Sequence, residues 1–418
     1  MNSSFSAALS GLQADAGAIN VIGNDLANLN TTGYKANEIE FSELIAQQIG
    51  GANSSGQIGL GVSPVSSFAN YTQGTLESTG GATNAAIQGG GFFVVQGPNG
   101  QTDYTRDGSF QINASGELVT AAGDAVQGWS AVNGAVNPNG AVGSISVPLG
   151  ATVPATATTS MSLALNLDAE SPTTGAGSTF SAPIQVFDSL GESHTLTATF
   201  NKTAANSWTY ALTIPAADLA AGGTTTVSSG TMTFDSNGNL TSPAIASDPQ
   251  VVPITGLADG AADMSINWSL YNPTTANSAI TQLAETSGVG GTSQNGFAAG
   301  QVSNVSLQNG GLLVATYSNG QTATVGQLAV ASIANPDTLI VAGNNYLQAA
   351  ATTSTPSVGA ANSGARGQII AGALESSTVD IAQEFTSLLT FERSYQANSR
   401  VITVSDQLEQ ATVGLIQA

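Results

Sequence analysis

The 418-residue chain contains no cysteine, which excludes disulfide cross-links and thiolate metal centres alike. Positive charge is scarce: Lys35, Arg106, Lys202, Arg366, Arg393 and Arg400 stand against 27 Asp and Glu, for a net charge of −21. With no basic run to form a phosphate footprint, nucleic acid is excluded as a partner, and the same scarcity argues against docking on an anionic membrane. Charged residues of all kinds make up 8% of the chain, about a third of the roughly 25% usual in soluble domains. No apolar run approaches the roughly 20 residues of a spanning helix, so no membrane insertion is expected. Residues 1–30 carry only Asp15 and Asp25 as charged side chains. Without a basic n-region or a continuous apolar h-region, no cleavable secretory signal is expected there.

Groups that carry chemistry are equally sparse. His194 is the single histidine, and the alternating run Glu192-Ser-His-Thr-Leu-Thr-Ala-Thr-Phe200 predicts an exposed strand position for it. Zinc would have to be held by carboxylates and this one imidazole, an unusual set, and no nucleophile-elbow pattern accompanies it. Asp103 and Asp107 flank Tyr104 and Arg106, while Asp188 and Glu192 bracket a Ser-Leu-Gly turn; these read as turn residues or local ion pairs. A glycosidase pair would sit in an aromatic-lined cleft, and aromatics are 6% here. Gly89-Gly90-Gly91 lacks the Lys-Ser/Thr of a phosphate loop and leads into a strand. No catalytic, cofactor-binding or metal site is identified, and an enzyme is not expected.

What is present is pattern. Phe5, Leu12, Ile19 and Leu26 recur every seven residues, with Leu9, Ala16, Ile22 and Leu29 between them. This heptad stripe predicts a helix stopping near Asn28–Gly33. Leu374, Ile381, Leu388, Tyr395 and Ile402 repeat the spacing at the other end, widened by Phe385, Val401, Leu408 and Leu415. Ser377 followed by Asp380 resembles a capping box, predicting a helix from about Val379 nearly to the C-terminus. The residues alone leave open whether these helices form a hairpin on their own globular domain or pack between subunits. From about Phe68 to Leu347 the chain reads as β. Runs such as Gly91–Gln96, His194–Phe200 and Gly311–Tyr317 are punctuated by Asn99-Gly100, Asn133-Gly134, Asn237-Gly238, Asn309-Gly310 and Asn319-Gly320, which suit type I′ hairpin turns. Ala151–Gly177, rich in Ala, Thr, Pro and Ser, reads as a boundary region between domains.

Several segments resemble the axial proteins of the bacterial flagellum, the rod and hook family. Asn24-Asp-Leu-Ala-Asn-Leu-Asn-Thr-Thr-Gly-Tyr-Lys35 is similar to their N-terminal signature, carried here by Asn24, Asn28, Asn30, Gly33, Tyr34 and Lys35. Gly91-Phe-Phe-Val-Val95, Tyr104-Thr-Arg-Asp-Gly-Ser-Phe110 and Gly116-Glu-Leu-Val-Thr120 resemble their first β-domain, with Tyr104 and Arg106 as motif residues. Val379-Asp-Ile-Ala-Gln-Glu-Phe385 and Ser394-Tyr-Gln-Ala-Asn-Ser-Arg-Val-Ile-Thr403 resemble their C-terminal helix through Gln396, Asn398 and Arg400. Phe187-Asp-Ser-Leu-Gly-Glu-Ser-His-Thr-Leu196, with Asp188 and Gly191, looks like the inserted outer domain of the hook members. Thr316-Tyr-Ser-Asn-Gly-Gln321, with Tyr317, looks like their return through the inner β-domain. The chain departs from the family at Phe391-Glu392-Arg393, where a Gln-Arg pair is usual, and in Asp406-Gln-Leu-Glu-Gln410.

The resemblance implies a mainly β fold with terminal α-helices, in which two β-domains, one inserted in the other, accompany a helical coiled-coil core. Its expected parts are paired terminal helices (1–30 and 374–418), connecting segments (31–70 and 367–373), an inner β-domain (71–146 and 298–366) and an inserted outer β-domain (147–297). It implies a hook-type structural subunit that polymerises with itself into a hollow, flexible tube, coupling the torque of motor and rod to the filament and passing exported subunits. Its expected location is extracellular, in the hook. The assembly core is expected at Phe5, Leu9, Leu12, Ile19, Ile22, Leu26, Ile381, Phe385, Leu388, Tyr395, Ile402, Leu408 and Leu415. Further partners implied are the distal rod, the hook cap, the hook–filament junction protein and the flagellar type III export apparatus. The alternatives are a distal-rod-like subunit and, from another class, a β-rich secreted adhesin or carbohydrate-binding protein.

Overall fold

The N-terminal heptads form one helix, α1 (Ser3–Ala27), and the C-terminal heptads a second, α2 (Ile381–Ile416). In the computed structural model residues 3–44, 47–48, 57–59, 61–63, 66–272 and 274–416 are described. α1 ends where Asn, Thr and Gly accumulate, as its sequence predicts. The cap of α2 is simpler than a capping box. Asp380 is the N-cap itself, its Oδ1 accepting the backbone N–H groups of Ala382 at 2.8 Å and Gln383 at 3.2 Å. That carboxylate also meets the positive end of the helix dipole. Ser377 instead accepts from Val379 N.

Between the helices the chain is β, in two compact units. The first comprises 1–149, 304–315 and 322–418. In its sheet Phe92–Gln96 pairs antiparallel with Thr102–Thr105, with Ala125–Ser130 and with Thr322–Ser332. Phe92, Phe93, Val94 and Val95 are all buried, so this strand is covered on both faces. The Phe93 ring meets Phe110 edge-on, with centroids 5.0 Å apart. Two short pairings bring the late chain back to the early chain: Leu76–Ser78 with Ala373–Glu375, and Ala85–Gln88 with Gln368–Ala371. They set down the start of α2 beside the exit of α1.

The second unit comprises 150–303 and 316–321. One sheet is an antiparallel meander of Thr179–Phe187, Ser193–Ala204, Ser207–Thr213, Thr226–Phe234 and Leu240–Ser242. The other is built on Ser160–Asp168, which pairs in parallel with Met264–Ser269 and Ile280–Leu283 and antiparallel with Gly288–Gln294. Both contribute to a single core around Trp208 and Trp268, where Tyr210 packs edge-on to Trp268 at 5.3 Å. The segment expected to be a domain boundary thus contains a central strand. Met161, Leu163, Leu165 and Leu167 alternate inward there, a period-2 signal obscured by the Ala, Thr and Ser around it.

The Asn-Gly turns also differ from expectation. Only Asn133-Gly134 has positive φ at both residues, 53° and 76°, flanked by the Val132–Ala135 bridge. At the other four sites glycine alone takes positive φ, as it does in longer loops that end a turn on one left-handed residue.

Candidate functional site

The family-motif residues of the first unit converge where α1 ends and α2 begins. Asp25, fully buried at the last turn of α1, accepts three hydrogen bonds: from Tyr34 Oη at 2.7 Å, Asn37 N at 2.8 Å and Asn37 Nδ2 at 2.8 Å. Asn24 Nδ2 donates to Tyr34 Oη at 3.0 Å, and Asn28 Nδ2 donates back to the Asn24 carbonyl. These bonds fold the Asn28–Tyr34 segment against the helix it leaves. Burial and the neighbouring Asp25 push the Tyr34 hydroxyl well above its ordinary value, leaving it a neutral donor. Gly33 sits at φ 69° with its N–H on the Glu375 carbonyl at 2.7 Å. A Cβ there would lie 2.6 Å from the Arg106 backbone carbon, so the position is closed to other residues.

Below this turn Glu375, 0% exposed, bridges two cations. Lys35 Nζ lies 2.6 Å from Oε1 and Arg106 NH1 3.1 Å from Oε2. Gly74 N adds a bond to Oε1 at 2.8 Å. Two buried positive groups facing one buried negative group need further compensation. Lys35 donates to the Thr72 carbonyl, Arg106 donates to the Gly89 and Ile87 carbonyls, and the guanidinium lies over the Phe92 ring. Desolvation lowers the pKa of both cations, and Glu375 opposes the shift. The triad joins three distant parts of the chain: the exit of α1, the inner sheet and the approach to α2. Motif reading found Lys35 and Arg106. Glu375 and Asp25 stand within segments that resemble the family, and Asp15 within the first heptads, but no motif assigns these isolated acids a role.

α1 and α2 pack along their lengths. From α1 the buried side chains are Ala8, Ala14, Asp15, Ala18, Ile22 and Asp25; Phe5, Leu12, Ile19 and Leu26 are half-buried, and Leu9 is exposed. Within the seam Asn398 Nδ2 donates to Asp15 Oδ2 at 2.9 Å and packs on Gly11. On α2 Leu388 and Ile402 are half-buried, whereas Ile381, Phe385, Tyr395 and Leu408 are exposed, Phe385 at 51% and Leu408 at 61%. Leu389, Val401, Val404 and Val413 add to this uncovered apolar surface. Gln396, Arg400 and Asn30 are also exposed, and the Leu415 side chain lies outside the described residues. The 36-residue helix therefore buries a narrow, partly polar strip against α1 and leaves much of its apolar surface in solvent.

In the second unit Asp188 organises the Asp-Ser-Leu-Gly turn, its Oδ1 accepting from the backbone N–H groups of Leu190, Gly191 and Glu192. Gly191, at φ 91°, packs closely on Ala155 and Ala298. Tyr317 is buried, its N–H bonded to the Gln321 carbonyl. His194 is 3% exposed, contrary to the exposed position its sequence context predicts. It shares the inward face of its strand with Leu196, Ala198 and Phe200. Burial opposes its charge, but hydrogen bonds with Asp188 and Asp218 outweigh that, raising its pKa above the ordinary value.

Comparison with known proteins agrees in every part of the chain. Residues 5–35 match the flagella basal body rod protein family and 86–164 the flagellar hook protein FlgE/F/G D1 domain. Residues 151–297 match the flagellar basal body protein FlaE D2 domain, and 370–415 the C-terminal family of flagellar basal body rod FlgEFG proteins. With terminal helices paired beside a split β-sheet, these matches define a structural subunit of the axial flagellar class. The flagellar hook protein FlgE of Treponema pallidum is 31% identical, the match covering 99% of this chain and 99% of that protein. The same protein is 34% identical in Rhizobium meliloti, covering 97% of each, and 30% identical in Escherichia coli K12, covering 98% and 99%. The chain belongs to the flagellar hook protein family. Its fold is also similar to that of the Helicobacter pylori flagellar hook protein FlgE2, with TM-score 0.50 and 13% identity over 72% of this chain and 100% of that one. It is a structural subunit of the hook that polymerises with itself, and no described helix is long and apolar enough to cross a membrane.

Proposed function

We propose that polymerisation proceeds through the terminal helices, with the uncovered apolar side chains of α2 packing on further copies of the chain to form the inner wall of a hollow tube. The single observation that carries this reading is that exposure. Ile381, Phe385, Leu389, Val404 and Leu408 are exposed on a helix already paired with α1. An apolar surface of this extent on a soluble subunit marks an interaction site, and in a self-assembling family a second copy supplies the cover. The Ser, Thr, Asn and Gly stretches of the β-units supply, among the described residues, no exposed ion pairs that would lock one register between copies. They suit a flexible coupling between rod and filament. The distal rod, the hook cap, the hook–filament junction protein and the flagellar type III export apparatus are the remaining partners, with export requiring no cleavable signal. The cysteine-free sequence is suited to passage as an unfolded chain. Electron microscopy of polymers from the full-length chain, and from a chain lacking residues 1–30 and 375–418, tests this reading. Curved hollow tubes from the full-length chain alone are expected. Straight tubes would favour a rod-like shaft, and tubes from the shortened chain would remove the helices from assembly.

A further inference from the structure

His194 is the one imidazole in the protein, and three carboxylates gather round it. Its Nε2 lies 3.1 Å from Asp188 Oδ2 and its Nδ1 3.1 Å from Asp218 Oδ2. Asp259 completes the group: one ligand atom each from Asp188, His194 and Asp259 lie within 4.8 Å of one another. Asp188 and His194 are buried, while Asp259 is exposed.

We propose that Asp188, His194 and Asp259 form a binding site for a divalent transition-metal ion of the Zn2+ type, oriented by Asp218. Donor spacing supports the assignment. Two ligands on the roughly 2.05 Å arms of a tetrahedral zinc ion stand about 3.3 Å apart, and the Asp188–His194 pair is already at 3.1 Å. An oxygen of exposed Asp259 lies within 4.8 Å of both donor atoms. The support around these donors has the form of a carboxylate–histidine–metal relay. With Nδ1–H donating to Asp218, the imidazole presents Nε2 as its ligand atom and is held against rotation. Asp188 is fixed in the same way, because its Oδ1 is committed to three backbone N–H groups while Oδ2 faces the imidazole.

Charge points the same way. Even a protonated His194 leaves three carboxylates facing one positive charge, and a dication bound to a neutral imidazole offsets more of it. Within this unit no lysine or arginine serves instead. Lys202 is the sole Lys or Arg within 150–303 and 316–321, and its ammonium is engaged by the Ala169 carbonyl and the Trp208 ring. The single nitrogen ligand selects against Mg2+ and Ca2+, which prefer all-oxygen shells. Protein donors fill three positions, and water or a group from a neighbouring molecule takes the fourth.

The test uses the full-length, metal-stripped chain titrated at pH 7.5 with Zn2+, and separately with Mg2+ and Ca2+. Isothermal calorimetry and thermal unfolding are the readouts, and Co2+ serves as a visible-absorption probe of tetrahedral coordination. Uptake of about one Zn2+ per chain is expected, with a rise in the unfolding temperature. Asp259→Asn, His194→Gln and Asp218→Asn should each weaken binding by about tenfold or more. Asp259 is exposed, so Asp259→Asn decides the matter if His194→Gln fails to fold by circular dichroism. Absence of stoichiometric Zn2+ uptake by the native chain, or uptake unchanged in a folded Asp259→Asn chain, would overturn the assignment and leave the cluster as a hydrogen-bond network.

Discussion

Asn398 donates its side-chain N–H to Asp15 Oδ2 at 2.9 Å across the seam of the two terminal helices, joining residues 383 apart in sequence. A polar contact inside an otherwise small-residue and apolar seam pins register, because sliding either helix leaves a buried carboxylate without its donor. Asn398→Ala should therefore destabilise the helix pair by about 1–3 kcal/mol, the cost of an unsatisfied buried acceptor. Urea unfolding followed by helical circular dichroism measures it. The double change Asp15→Leu with Asn398→Leu should recover most of the stability while loosening the register, and polymers of irregular diameter in micrographs would report that loss.

The Lys35–Glu375–Arg106 triad gives a second prediction. Glu375→Ala leaves two buried cations without their counter-charge and should cost about 3–5 kcal/mol. Glu375→Gln should cost less, because it retains shape and one acceptor. Hydrogen exchange should reveal the loss first at the Leu76–Ser78 and Ala373–Glu375 pairing, while the second unit keeps its protection.

Substitutions on α2 should divide according to whether they strike exposed or half-buried positions. Phe385→Asp and Leu408→Asp alter exposed positions and are expected to leave monomer stability within about 0.5 kcal/mol while abolishing polymerisation. Leu388→Asp and Ile402→Asp, together with Leu12→Asp and Ile19→Asp on α1, alter half-buried positions. They should weaken the helix pair as well as block assembly, with the β-units still folded. Sedimentation and circular dichroism on the same samples separate the two effects. Normal tubes from Phe385→Asp and Leu408→Asp chains would exclude these exposed positions from assembly.

Glu384 gives a pH dependence. Burial raises its carboxyl above the ordinary 4.5, and the charges of Asp25 and Asp380 raise it further. The folded chain thus favours the neutral acid. Its stabilising contribution is present in full below the unfolded value and is lost as pH rises through the elevated folded value. Glu384→Gln should raise the melting temperature of the helix pair at pH 7 and have little effect at pH 4. An equal effect at both values would show that the charge on Glu384, disfavoured by burial and by Asp25 and Asp380, is not what the substitution relieves.

Local chemistry made much of this protein legible from its sequence. The heptads of Phe5–Leu26 and Ile381–Ile402 specify two helices because a 3.6-residue turn gathers such positions on one side, and Asn, Gly and Asp mark their ends through backbone bonds that span a few residues. The scarcity of Lys and Arg likewise bears on which classes of partner to expect, because a phosphate backbone needs a basic footprint. Other features required the tertiary fold. Lys35 meets Glu375 across 340 residues, and no local rule states that two cations will share one buried acid. His194 faces inward because its strand parity places it with Leu196, Ala198 and Phe200, while the acids that surround it arrive from separate loops. Which apolar residues of α2 stay uncovered was also decided in three dimensions: periodicity identifies the residues that seek burial, whereas the path of α1 determines which of them a single chain can bury.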